Sequence, residues 1–126
     1  MSSWEAKAAA KRKELAKQIP EKWRIPQDKL PAASVLSVID FPKDSGLLTA
    51  RELEITGTNV VPLAGKIASG SWTAKEVTEA FCHRAAIAHQ LVNCCVEIFF
   101  DMAIADAEAL DAYYKKNGRT KGPLHG

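Results

Sequence analysis

Four prolines in close succession, Pro20, Pro26, Pro31 and Pro42, constrain this chain more than any other feature. Each fixes φ and removes an amide donor, so no helix of ordinary length can run through residues 20–48 and no central strand can include them all. The stretch is expected to form an extended arm, in which SVLSVI at 34–39 offers at most one short strand. Small domains seldom carry so long an irregular segment. The arm is therefore expected to lie along a surface, and that surface is expected to lie outside this sequence.

The flanking segments read as helices. Ser2 and Glu5 have the spacing of a capping box, which opens a helix over 3–18 that Pro20 closes. Trp4, Ala8, Leu15 and Ile19 give it only a thin apolar stripe, broken by Lys11 and Arg12, so it must lean on something larger. Beyond the arm, Thr49 with Glu52 starts a short helix through Glu54, and TGTN at 56–59 punctuates it. Asn59 then caps VVPLAGKIAS, where Pro62 is tolerated in the first turn although Pro62 and Gly65 both weaken the helix; Gly70 supplies the stop.

The clearest local signal is TAKE at 73–76, a second capping box before a helix reaching about His89. Its expected buried face holds Val77, Ala80, Phe81, Ile87, Ala88 and Leu91. CCVEIFF at 94–100 has the composition of a strand or a buried connector. Asp101 then opens a helix to about Asn117, with Met102, Ala105, Ala109, Leu110 and Tyr113 on one side, Lys115 and Lys116 favouring its negative end, and Gly118 as the left-handed cap. The fold class expected is mainly α, organised as a basic helix (1–19), an extended arm (20–48), a helical region (49–117) and a terminal loop (118–126).

Composition narrows the function classes. Apolar residues make up 47% and charged residues 25%, the balance of a globular protein. Net charge is +2, but residues 1–24 carry seven Lys/Arg against three Glu. Without aromatic residues interleaved beyond Trp4 and Trp23, that basic end is a solvated face, and neither nucleic acid nor a membrane surface is an expected partner. No segment has the apolar length of a membrane span or of a secretory signal, and Glu5 and Glu14 argue against a mitochondrial presequence. A cytoplasmic location is expected. Cys82, Cys94 and Cys95 form no C-x-x-C pair, so buried, reduced thiols are expected. Together with His83, His89 and His125 they lack the paired spacings of a metal site, and no metal or cofactor is expected.

The residues that carry chemistry do not assemble into a catalytic motif. There is no G-x-S-x-G elbow, no phosphate loop and no H-E-x-x-H pair. Ser69 and Ser71 sit at a helix end, where serine caps or meets water. Asp101, Asp106, Glu108 and Asp111 read as surface charges, Glu108 and Asp111 as a solvated i, i+3 pair. Arg84 is expected to snorkel toward a nearby acid, and of Tyr113 and Tyr114 one is expected to pack and one to face water. The residues alone specify a helical module without a self-contained active site.

Three blocks nevertheless join into a recognisable pattern: LTARELEIT at 48–56, KIASGSWTAKEVTEAFCHRAAIAHQLVNC at 66–94 and EIFFDMAIADAEALDAYYKKNGRTKGPLHG at 97–126. Together they resemble the N-terminal part of an amidase signature family enzyme, of the fungal acetamidase and general amidase branch; GTNVVPLAG at 57–65 departs from that pattern. The resemblance implies helices that normally pack on a mixed α/β sheet core absent from this sequence. It also implies hydrolysis of small carboxamides to acid and ammonia. In that mechanism one serine is the nucleophile, a second serine in a cis peptide relays the proton and a lysine is the ultimate base, with no cofactor. Gly122–Gly126 matches only the lead-in to the catalytic lysine. Lys121, Ser69 and Ser71 therefore have no catalytic role, His125 is structural, and no catalytic, substrate-binding or metal residue is expected within 1–126. The sequence is expected to be a truncated amidase, inactive by itself. The expected partners are the small amide, for the complete enzyme only, and an amidase core or a second copy to cover its apolar faces. The alternative is a non-enzymatic helical module that binds a protein partner.

Overall fold

The computed structural model describes residues 3–126. It is helical, and no strand occurs among the described residues. Six α-helices follow in order: α1 Trp4–Gln18, α2 Phe41–Asp44, α3 Ala50–Gly57, α4 Val60–Ala68, α5 Ala74–Val92 and α6 Phe100–Asn117. Two 3₁₀ turns, Glu21–Trp23 and Gln27–Lys29, lie in the arm.

α5 is the axis of the molecule. It packs against α6 on one side and α3 on the other. Ala74, Val77, Ala80, Cys82, His83, Ala86 and Ile87 are all buried, so most of its circumference faces protein. Three apolar clusters share it. Cys82 and Ala86 join Leu15, Ile19, Trp23, Ile98 and Phe100; Val77 and Ala80 join Ile55, Ile67 and Trp72; Ile87 joins Ile25 and Leu48. The expected face was right for Val77, Ala80 and Ile87, whereas Phe81 is 43% exposed. Cys82, His83 and Ala86 take the buried side because Trp23 and α6 cover it.

The prolines act as expected on the local backbone. Pro20 and Pro26 each stand immediately before a 3₁₀ turn with extended φ and ψ, and Pro42 occupies the first turn of α2. Residues 34–39 form no strand, since nothing among the described residues pairs with them. The surface the arm wraps lies partly within this chain, contrary to expectation. Trp23, Ile25 and Leu48 are buried against α5, and Gln90 clamps the arm: its Nε2 donates to the Trp23 carbonyl at 2.9 Å and its Oε1 accepts the Ile25 amide at 2.9 Å. Lys29 Nζ closes the far bend by donating to the Ser45 carbonyl at 2.8 Å.

Capping explains where the helices begin. Ser2 lies outside the described residues; the cap observed for α1 is Ser3, whose hydroxyl accepts the Ala6 amide. α1 docks by its C-terminal end, through Leu15 and Ile19, while Trp4 is 75% exposed rather than part of a buried stripe. Thr49 and Glu52 form the complete capping box of α3, which runs three residues past Glu54. α4 forms behind Asn59, although the Asn59 side chain makes no capping bond. α5 ends at Val92 because Asn93 adopts φ 50°, a left-handed cap. α6 ends on Gly118 at φ 64°, its amide donating to the Tyr114 carbonyl at 2.8 Å. Residues 94–99 are a connector without regular structure, and Phe100, rather than Asp101, is the first residue of α6.

Candidate functional site

The terminal loop, residues 118–126, returns from α6 toward the start of α5. Its anchor is His125, 6% exposed, which lies 6.5 Å from the Tyr113 ring and 6.3 Å from the Tyr114 ring. His125 Nδ1 accepts the Lys121 amide at 3.1 Å, so the ring proton sits on Nε2, which is buried without a partner. Lys121 Nζ stands 5.2 Å above the Tyr113 ring. Gly126 adopts φ 103°, a conformation that favours glycine, and a Cβ there would sit tightly, 3.2 Å from Ala74 Cβ.

Two larger cavities border this loop. One, of about 370 Å³, is bordered by Ile67, Trp72, Thr73, Asp111, Tyr114 and His125. The other, of about 410 Å³, is bordered by Val60, Leu63, Val77, Phe81, Cys82 and Gly126. Neither brings a nucleophile to a base. Thr73 Oγ1 accepts the Glu76 amide, and burial, with Glu79 nearby, pushes the Cys82 thiol above its ordinary value, away from the reactive thiolate. Ser69 and Ser71 Oγ lie 2.9 Å from each other, and Ser69 Oγ donates to the Lys66 carbonyl; neither partner is a base.

Asp111 is not the solvated charge that its spacing suggests. Its carboxylate accepts the Ala74 amide at 2.7 Å and the Lys75 amide at 3.0 Å, so it caps α5 from the far end of the chain. With Thr73 serving Glu76, the first three amides of α5 are satisfied and the negative charge meets the positive end of the helix dipole. The expected box at Thr73 is only half made, because Glu76 turns to Arg51 Nε at 2.8 Å. Glu108 pairs with Lys75 at 2.6 Å instead of with Asp111. Asp101 and Asp106 are exposed, as expected.

A second polar cluster ties α3, α5 and the arm together. Glu52 Oε2 accepts from the Thr49 amide at 2.7 Å and the Thr49 hydroxyl at 2.8 Å, while Oε1 accepts His83 Nδ1–H at 2.7 Å. Burial pushes the Glu52 carboxyl up, but these hydrogen bonds from His83 and Thr49 outweigh it and hold the group below the ordinary glutamate value. The His83 ring stacks on Trp23 at 5.4 Å, and Trp23 meets Phe100 edge-on at 5.5 Å. Arg84 donates to Thr56 Oγ1 at 2.9 Å, a hydroxyl rather than the expected acid. Tyr114 donates to the Ala68 carbonyl at 3.0 Å, and both tyrosines are half-buried instead of dividing between core and solvent. Trp72 is buried, with Arg51 4.8 Å and Lys66 4.9 Å from its ring.

The thiol and imidazole groups serve separate places. Cys82 is buried, Cys95 half-buried and Cys94 exposed, so burial as expected holds for one of the three. His83 is engaged by Glu52 and His125 by Lys121, while His89 Nδ1 accepts the Cys95 amide. Among the described residues no three of His, Cys, Asp and Glu are grouped to hold an ion.

Comparison with known proteins identifies what this arrangement belongs to. The Amidase family model matches residues 76–126. The chain is 54% identical over 124 residues to an acetamidase of Emericella nidulans, covering 98% of this chain and 22% of that protein. It is 42% identical over 125 residues to an acetamidase of Aspergillus oryzae, covering 99% and 22%. Its fold superimposes on a fatty acid amide hydrolase with a TM-score of 0.85 at 36% identity, covering 98% of this chain and 22% of that one. The chain spans about a fifth of the length of the curated relatives it matches. Matched along 98% of its length by an acetamidase and by an amide hydrolase fold, the chain belongs to the amidase family.

Proposed function

We propose that this chain is the N-terminal part of an amidase that hydrolyses small carboxamides to carboxylic acid and ammonia. The observation that carries the reading is the match to an acetamidase at 54% identity across 98% of the chain. The mechanism the family resemblance implies is an acyl-enzyme route in which a serine attacks the amide, a second serine in a cis peptide relays the proton and a lysine accepts it. Those groups belong to segments that follow the Gly122–Gly126 lead-in. Within 1–126 the role is structural: α5 and α6 hold the lead-in loop in place through Tyr113, Tyr114 and His125. The complete enzyme acts in the cytoplasm; no helix of the described residues is long and apolar enough to cross a membrane.

Two assays test this. The 126-residue chain by itself is expected to release no ammonia from acetamide, and measurable turnover would defeat the assignment of the chemistry to other segments. A chimera in which these residues replace the matching segment of the Emericella nidulans acetamidase is expected to keep acetamide hydrolysis within about tenfold, since the replaced layer carries no reacting group. A folded but inactive chimera would favour the second reading, a non-enzymatic helical module for a protein partner. That reading draws on the exposure of Val60, Val61, Phe81, Phe99 and Met102. Under the amidase reading the same surface is covered by an amidase core or by a second copy.

A further inference from the structure

Cys94 and Cys95 lie in the connector between α5 and α6, outside both helices, with their Sγ atoms 4.0 Å apart. Cys95 is anchored. It packs against the cluster of Leu15, Trp23 and Phe100, and its amide donates to His89 Nδ1 at 3.1 Å. Cys94 is exposed, so one sulfur is held in position while the other stands open to solvent.

Adjacent Cα atoms are about 3.8 Å apart across a trans peptide, below the span of about 4.4–6.8 Å over which disulfides form without strain. A direct S–S bond would therefore distort the backbone. An ion bridging the two sulfurs needs no such distortion. Two thiolate–metal bonds of about 2.3 Å, the zinc–sulfur value, meet across this 4.0 Å separation at an angle of about 120°, that of a three-coordinate centre.

We propose that Cys94 and Cys95 together bind one soft monovalent cation of the Cu(I) class, with a small-molecule thiol or solvent as the third ligand. Thiolate donors select soft ions. Zinc is the poorer fit, because a structural zinc site takes four protein ligands and this one offers two. Binding replaces two S–H bonds with two sulfur–metal bonds, releases two protons to solvent and changes no oxidation state. The site stands apart from the amidase reading and holds or fails independently of it.

The test titrates the reduced chain anaerobically with Cu(I) against a chromogenic Cu(I) chelator. One ion per chain is expected to be withheld from the dye, and to stay bound in excess Zn(II). Cys94→Ser and Cys95→Ser are each expected to weaken binding at least tenfold, while Cys82→Ala leaves it unchanged. Cys94 is exposed, so Cys94→Ser should keep its helix content by circular dichroism, which separates loss of a ligand from loss of fold. The proposal is overturned if the parent holds no Cu(I) against the dye, if Zn(II) displaces the ion, or if folded Cys94→Ser binds as tightly as the parent.

Discussion

Glu52 shows how much one side chain can organise. Its two oxygens take three donors, two from its own helix start and one from His83 on α5, and His83 in turn stacks on the arm through Trp23. The sequence showed the first half of this, since T-x-x-E spacing is local; the reach to His83, thirty-one positions on, left no local trace. Because the folded carboxyl is held below the ordinary glutamate value near 4.5, its contribution to stability is present above that value. It is lost as pH falls through the lower, folded value, where Glu52 must take a proton and give up an acceptor. Urea titrations across pH 3 to 7 are expected to give a shallower acid loss of stability in Glu52→Gln, which keeps the capping geometry but does not ionise. Parallel curves for the two proteins would show that the cluster contributes nothing to the acid limb.

At the scale of elements, caps were more legible than faces, although Val77, Ala80 and Ile87 of α5 lie on the expected side. Thr49, Thr73 and Gly118 mark helix ends by chemistry that needs only neighbours in sequence, and all three are found there. The observed face of α6 differs from the expected one because its apolar residues, many of them alanine, are spread around the helix among acidic ones, so the pattern marks no single side. Contact with α5 selects instead, turning Phe100 and Ala107 inward and leaving Met102, Ala105 and Ala109 exposed. CCVEIFF has strand composition, but β-structure needs a partner strand, and here Ile98 and Phe100 are used singly to plug the core beside Trp23. Asp111 was read as a solvated charge for the same reason: nothing local tells that the start of α5 lies above it. Asp111→Ala is expected to cost about 2 kcal/mol, the scale of lost hydrogen bonds to a charged cap. Asp106→Ala, on the exposed side of the same helix, should stay within about 0.5 kcal/mol. Denaturant midpoints at constant slope read both, and equal costs would show that Asp111 is not the cap of α5 in solution.

For the whole molecule, the amidase relationship was legible in the long blocks between Leu48 and Gly126, whereas what covers their outer surface was not. Between α5 and α6 runs a groove of about 240 Å³ bordered by Phe81, Ala85, Ile98, Phe99 and Ala103, and Val96 and Met102 are exposed besides. A sequence pattern records that such positions are apolar, but not whether this chain or another covers them. Contiguous apolar surface that a single copy leaves open is a driving force for association. Fully burying an exposed phenylalanine is worth about 1.5–3 kcal/mol; Phe81 and Phe99 are 43% and 58% exposed, so covering both shifts a dimer constant by roughly tenfold to a hundredfold. Sedimentation in the micromolar range is therefore expected to show species heavier than the 13.7 kDa monomer. Phe81→Ser with Phe99→Ser should return the chain to monomer with its helix content intact, since both side chains lie outside the buried clusters. A parent that sediments as a monomer throughout would mean that the groove is satisfied without a partner, and the covering of this surface would drop out as a requirement of the fold.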